Sequence, residues 1–171
     1  PPEVKKAWED LGKKGQKEKV SWENRYTSLS SKRRSEFSRM HSMEVPPKLA
    51  REINKFKKSI SIEQPKVATR KSSEMILDVI NPIMTETIGG SADLSGSNNT
   101  KSSDMTVFDI DNRKGRYIHW GVREHGMAAA MNGMALHGGL RPYGGTFMCF
   151  TDYARPSMRL AALMKIPTIF V

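Results

Sequence analysis

Tyr117-Ile118-His119-Trp120-Gly121-Val122-Arg123-Glu124-His125-Gly126-Met127 reads as a strand running into a helix. The run Tyr117 to Trp120 is apolar and aromatic, as strands are, and the small residues after Arg123 suit a closely packed helix. A strand feeding a helix is the repeating unit of a parallel α/β sheet, and ligands bind at the carboxyl edge of such sheets. Glu124 stands at that edge. About two dozen residues later Phe147, Phe150 and Tyr153 recur at i, i+3 and i+6, a spacing that predicts one helix over 146–164 with the three rings on a shared face. A flat heteroaromatic ring can stack against such a wall. Read from these residues alone, two plainer roles stay open: a first-turn acid that stabilises the helix N-terminus, and an aromatic stripe packed into the core. The Gly144-Gly145 pair just upstream favours a binding role, because a backbone without Cβ atoms lets a ligand approach.

Outward from that stretch, helix and strand patterns alternate from Lys66 onward, which predicts a partial parallel sheet with flanking helices. A helix is expected over 70–80, with Met75, Ile76, Val79 and Ile80 on one side, then a short glycine-ended strand over 87–91. Residues 93–111, rich in Ser, Asn and Asp, read as a long loop. Residues 117–120 form the second strand and 123–137 a helix closed by Gly138-Gly139. A third strand covers 141–143, and the apolar run 168–171 reads as a buried strand that stops without a turn or cap. The first third reads as charged helices. One carries Val4, Ala7, Trp8 and Leu11 and is loosened or ended by Gly12 and Gly15. A second runs over about 20–40, Pro46-Pro47 breaks it, and Leu49, Ile53 and Phe56 mark a third, short helix. Residues 59–65 read as a linker, so the expected division is a helical connecting segment, 1–65, followed by the sheet-forming part, 66–171.

The 171 residues are 37% hydrophobic, enough for one domain with a core or parts of two. No run approaches the roughly 20 apolar residues of a membrane span, and the N-terminus lacks the apolar segment of a signal peptide. Cys149 is the single cysteine, so an internal disulfide is excluded and a reducing compartment, the cytoplasm, is expected. The net charge of +10 is uneven: residues 1–70 carry 18 Lys and Arg against 9 Asp and Glu. Such a surplus is one signature of a nucleic-acid arm, but here the cations alternate with acids and apolar residues at helical spacing, as around Trp22, Tyr26 and Leu29. That pattern reads first as a solvated helical surface, with a basic nucleic-acid-binding module over 1–70 as the lesser alternative; the expected partners include neither nucleic acid nor a membrane. His41, His119, His125 and His137 show no metal-ligand spacing, no cysteine pair joins them, and no residue is assigned to a metal. His125 reads as a helix-packing residue.

Three blocks, Ala68-Thr69-Arg70-Lys71-Ser72-Ser73, Gly89 through Asn98, and Tyr117 through Tyr153, resemble transketolase in order and in spacing. The resemblance implies the thiamine-diphosphate-binding fold and covers the first half of its pyrimidine-binding domain. It also implies that the chain is cut at both ends, lacks the diphosphate-binding domain, and is inactive alone. The activity implied is transfer of a two-carbon ketol unit from a ketose phosphate to an aldose phosphate in the pentose phosphate pathway. Dihydroxyacetone synthase, of the same fold, is the near alternative.

On that resemblance Glu124 matches the glutamate that hydrogen-bonds N1' of the cofactor's aminopyrimidine ring, a role expected to need a partly buried site. Phe147, Phe150 and Tyr153 match the ring pocket. Asp93 matches an aspartate close to the cofactor across a subunit interface, though an Asx-turn serves as well. Arg70 and Ser97 match the arginine and serine that hold the sugar's distal phosphate, and a guanidinium with a hydroxyl suits that anion. The resemblance further implies a homodimer with the site between subunits, and a divalent ion, magnesium or calcium, held by segments this chain lacks. The loop over 101–116 is shorter than in some members, and Gly96 stands where proline is frequent.

Overall fold

The computed structural model describes all residues from Pro1 to Val171. By compactness the chain divides into two units, Pro1–Arg39 and Met40–Val171.

The first unit is helical. Helix α1 runs unbroken over Pro2–Ser28 and α2 begins at Ser31 and ends at His41. The expected interruption at Gly12 and Gly15 does not occur. Both glycines stand in open space on an exposed helix, so each costs only its propensity, about 1 kcal/mol, while pairs such as Lys5–Glu9 and Lys19–Glu23 lie along the same helix at i, i+4. The break falls instead at Leu29, whose extended backbone ends α1. Trp22 and Tyr26 stack with centroids 5.3 Å apart, and Phe37 lies 5.5 Å from Tyr26, giving this charged unit one small aromatic contact.

In the second unit α3 spans Pro47–Glu63 and packs on α4, Thr69–Ile80. The expected linker over 59–65 is therefore mostly helix. It stops at Gln64, in the left-handed conformation, directly before Pro65, where a helix must give way. Strand β1 is Thr87–Ser91, α5 is the single turn Ser95–Asn98, β2 is Tyr117–His119, α6 is Glu124–His137, β3 is Arg141–Gly144, α7 is Thr151–Met164 and β4 is Ile169–Phe170. The sheet is wholly parallel in the order β2-β1-β3-β4. The chain steps from β1 to one side and then returns past it to β3, so the connections reverse between β1 and β3. In open α/β sheets a ligand crevice opens at the carboxyl ends of two such strands.

Alternation along the strands sends side chains to both faces. On one face Tyr117 and Tyr143 pack with Met105 and, from α4, Leu77; on the other, Met127 and Met131 of α6 pack with Ala92, Trp120 and Phe170. The long segment between β1 and β2 is held by a buried polar chain. Asn81 Nδ2 donates to Ser102 Oγ at 2.7 Å and to the Tyr143 hydroxyl at 3.1 Å, and that hydroxyl donates to the Thr100 carbonyl at 2.8 Å. Thr100 Oγ1 meets the Tyr117 hydroxyl at 2.8 Å and donates to Asn98 Oδ1 at 2.9 Å, and Asn98 Nδ2 donates to Ser91 Oγ at 2.9 Å. Burial pushes the Tyr143 hydroxyl up to about 12, against a smaller downward pull from Asn81. Arg116 adds bonds to Thr87 Oγ1 and Asp104, at 2.9 and 2.6 Å.

Candidate active site

Because the strands are parallel, the segments leaving β1, β2 and β3 all emerge on one edge. Ala92 and Asp93 follow β1, Glu124 opens α6 after β2, and Phe147 follows β3. An open cleft of about 750 Å³ lies there, lined among others by Asp93, Leu94, Arg123, Glu124, His125, Phe150 and Tyr153. Glu124 is only 6% exposed, and its carboxylate takes no hydrogen bond or ion pair from the chain. A buried carboxylate without a partner is costly, and here it borders an open cleft with two aromatic rings on its wall.

The wall itself differs from expectation in its backbone. Phe147 is extended, Met148–Phe150 forms a 3₁₀ turn, and α7 starts only at Thr151. The bridge between Ser91 and Gly145 shows why: the strand pairing persists two residues past the tyrosine and delays the helix. The rings nonetheless stack in file, Phe147 on Phe150 at 6.0 Å and 16°, and Phe150 on Tyr153 at 6.0 Å and 28°. The glycine pair before them serves the protein interior rather than a ligand. A Cβ on Gly144 would lie 2.5 Å from Met131 Sδ, and one on Gly145 2.6 Å from Asn98 Nδ2 and Thr100 Cγ2.

Phe147 does not line the first cleft. It lines a second, of about 400 Å³, together with Arg70, Ser73, Ser97, Asn98 and Thr146. Arg70 and Ser97, 27 residues apart in sequence, thus face one space, and the file of stacked rings runs from this cleft, at Phe147, to the first, at Phe150 and Tyr153. The Arg70 guanidinium has no hydrogen bond or ion pair within the chain, whereas Arg116, Arg123 and Arg141 are all engaged. Asp93 sits at the lip of the first cleft with φ of 61°, the left-handed region that Asp tolerates better than most residues. His125 departs from its expected role as a packing residue alone. Its Nδ1 lies 3.1 Å from the buried Ser157 Oγ, and its ring also lines the cleft beside Glu124. Ser73 was not singled out from sequence, although its position three residues after Arg70 places it on the same helical face. No group of three or more His, Cys, Asp or Glu side chains is disposed to hold a metal ion, and no helix is long and apolar enough to cross a membrane.

Residues 65–171 match the sequence profile of the family described as transketolase, pyrimidine binding domain. The chain belongs to this family. Over its whole length it is 58% identical to a transketolase of Rhodobacter capsulatus, of which it covers 25%, and 49% identical to a transketolase of Sinorhizobium medicae, of which it covers 24%. It therefore spans about a quarter of the length of the curated relatives it matches. Among solved structures, a transketolase variant from Pichia stipitis in complex with fructose-6-phosphate superposes with a TM-score of 0.84 at 33% identity, covering 99% of this chain and 26% of that one. The Pichia stipitis transketolase in complex with sedoheptulose-7-phosphate gives 0.83, also at 33% identity over 99% of this chain and 26% of that one. The α/β architecture read from the alternating pattern is that of these transketolases.

Proposed function

We propose that this chain is a segment of a transketolase, residues 1–65 the connecting segment and 66–171 the N-terminal part of the pyrimidine-binding domain. The complete enzyme transfers a two-carbon ketol unit from a ketose phosphate to an aldose phosphate, the chemistry of the pentose phosphate pathway. The observation that carries this reading is Glu124: a buried carboxylate with no partner in the chain, on a cleft walled by the stacked Phe150 and Tyr153. Those residues fit the aminopyrimidine ring of thiamine diphosphate. Phe150 and Tyr153 offer the ring an apolar face, and offset stacking orients it. Glu124 then holds a proton at the ring nitrogen it faces, as a general acid/base shielded from bulk water. When bound, the cofactor supplies the nucleophilic carbon that carries the ketol unit.

Arg70 and Ser97 hold the distal phosphate of the sugar in the second cleft, the guanidinium by paired charged hydrogen bonds and the hydroxyl by one more. Asp93 lies near the cofactor. The cofactor's diphosphate and its divalent ion, magnesium or calcium, are assigned to other segments of the enzyme. The active enzyme is taken as a cytoplasmic homodimer with the site between subunits. Ketol transfer from fructose 6-phosphate by the complete enzyme, with and without thiamine diphosphate and magnesium, tests the reading. Transfer is expected only with both. Thiamine diphosphate binding as tight in a Glu124→Gln, Phe150→Ala double variant as in the parent would remove the ring site from this segment.

A further inference from the structure

Three hydroxyls of the second cleft, those of Thr69, Ser73 and Thr146, have no hydrogen-bond partner within the chain, and Ser73 is the one that shares a helical face with Arg70. Ser73 lies one helical turn after Arg70 on α4, and both border the cleft that Ser97 closes from the other side. Serine in the first turns of a helix commonly bonds back to a carbonyl of the preceding turn. Here the Ser73 hydroxyl has no hydrogen-bond partner within the chain, although the residue is only partly exposed.

The surroundings suit an anion. No carboxylate borders this cleft, whose polar side chains are Arg70, the hydroxyls of Thr69, Ser73, Ser97 and Thr146, and the Asn98 amide. Asn98 is already committed to Ser91 and Thr100. The nearest acid on the same helix, Glu74, is drawn off to Lys71 at 2.7 Å and Asn99 at 3.0 Å. Helix α4 has no acid in its first turn and no side-chain cap, so the positive end of its dipole is not offset. A phosphate gripped by Arg70 and Ser97 thus meets a hydroxyl that donates to it and no negative charge that repels it.

We propose that Ser73 is a further phosphate-binding residue of this cleft, and that it sharpens the preference for phosphorylated over unphosphorylated sugars. This rests on the reading of Arg70 and Ser97 given above. The test measures KM and kcat of the complete enzyme with fructose 6-phosphate and with fructose as donors, for Ser73→Ala, Ser73→Thr and Arg70→Ala. Loss of a hydrogen bond to a charged group corresponds to roughly a 10-fold change or more. Ser73→Ala is therefore expected to raise KM for fructose 6-phosphate about 10-fold, leaving kcat and the constants for fructose as they were. Ser73→Thr keeps the hydroxyl and is expected to retain a KM near that of the parent.

If Arg70→Ala raises KM for the phosphorylated donor while Ser73→Ala does not, the proposal fails and the anion cleft stands. If neither does, the cleft reading fails and takes Ser73 with it. Equal losses on both donors in Ser73→Ala, unrescued by threonine, would make Ser73 a packing residue and overturn the proposal. Alanine is the best helix former, so failure to fold is not expected to obscure the result.

Discussion

Replacing Glu124 with glutamine in the complete enzyme separates chemistry from architecture. The two side chains have nearly the same shape, and the residue is 6% exposed, at the first position of α6. On stability two effects oppose each other. The change removes a carboxylate from a helix N-terminus, worth about 0.3–1 kcal/mol, and it relieves the desolvation of a buried carboxylate that has no partner in the chain. The net change in unfolding free energy is expected to stay within about 1 kcal/mol. On rate the effect is one-sided. Loss of a general acid/base costs about 10²- to 10⁴-fold, or roughly 3–5 kcal/mol of barrier. The assay is exchange of the C2 proton of bound thiamine diphosphate for deuterium, followed by NMR alongside ketol transfer and thermal unfolding. Both rates should fall together while the unfolding midpoint barely moves. Exchange at the parental rate in the glutamine variant would refute the role given to this carboxylate, whatever the overall rate did.

Arg70→Ala should raise KM for phosphorylated sugars by roughly 10- to 150-fold, the equivalent of about 1.5–3 kcal/mol, with little change for unphosphorylated donors; equal losses on both would make Arg70 structural. Phe150→Ala removes the middle ring of the stack, and thiamine diphosphate affinity should drop roughly 2- to 13-fold from lost stacking alone, about 0.5–1.5 kcal/mol, before any lost area is counted; isothermal titration at fixed magnesium reads this directly. Tyr143 carries a pH signature. Its folded value is raised to about 12 by burial against the ordinary value of 10.0, so its contribution to stability is complete below pH 10 and is lost as pH rises towards 12. Denaturation curves across that window should show a fall that Tyr143→Phe diminishes, and an identical fall in the phenylalanine variant would count against the buried hydroxyl as its source. The same substitution removes the donor to Thr100 and should cost about 1–3 kcal/mol near neutral pH.

The sheet was legible because its strands are short and two of them, β1 and β3, end in glycine-rich sequence, while β2 runs into a small-residue helix. Strand β1 and helix α6 fall within a residue of where the pattern places them. What the pattern could not show was decided by tertiary contacts. Gly12 and Gly15 look like helix breakers, yet nothing near them demands a left-handed turn, and α1 continues. The 3₁₀ turn before α7 depends on Gly145 bridging Ser91, a pairing 54 residues apart that no local window contains. The polar chain from Asn81 through Tyr143, Thr100 and Tyr117 is equally invisible from local sequence, since its members are unremarkable loop and strand residues until the fold brings them together. At the site the three rings stack in file, but not on the face of one helix as periodicity placed them, since Phe147 and Phe150 precede α7. Periodicity could not say that Phe147 would turn to the second cleft, because that depends on where the helix begins.

The file of stacked rings between the two clefts bears on how the residues around it can change over generations or in a laboratory library. Glu124, on α6, and Arg70 and Ser73, on α4, hang from different elements with the stacked rings of Phe147, Phe150 and Tyr153 between them, whereas Ser97 joins the first cleft directly through its backbone bond to the Leu94 carbonyl. Arg70 and Ser73 can then be varied without retuning Glu124, and the two sets of effects should multiply rather than interfere. On the roles proposed for these residues, acceptance of new sugars can be selected on one side of the rings while Glu124 on the other is left as inherited.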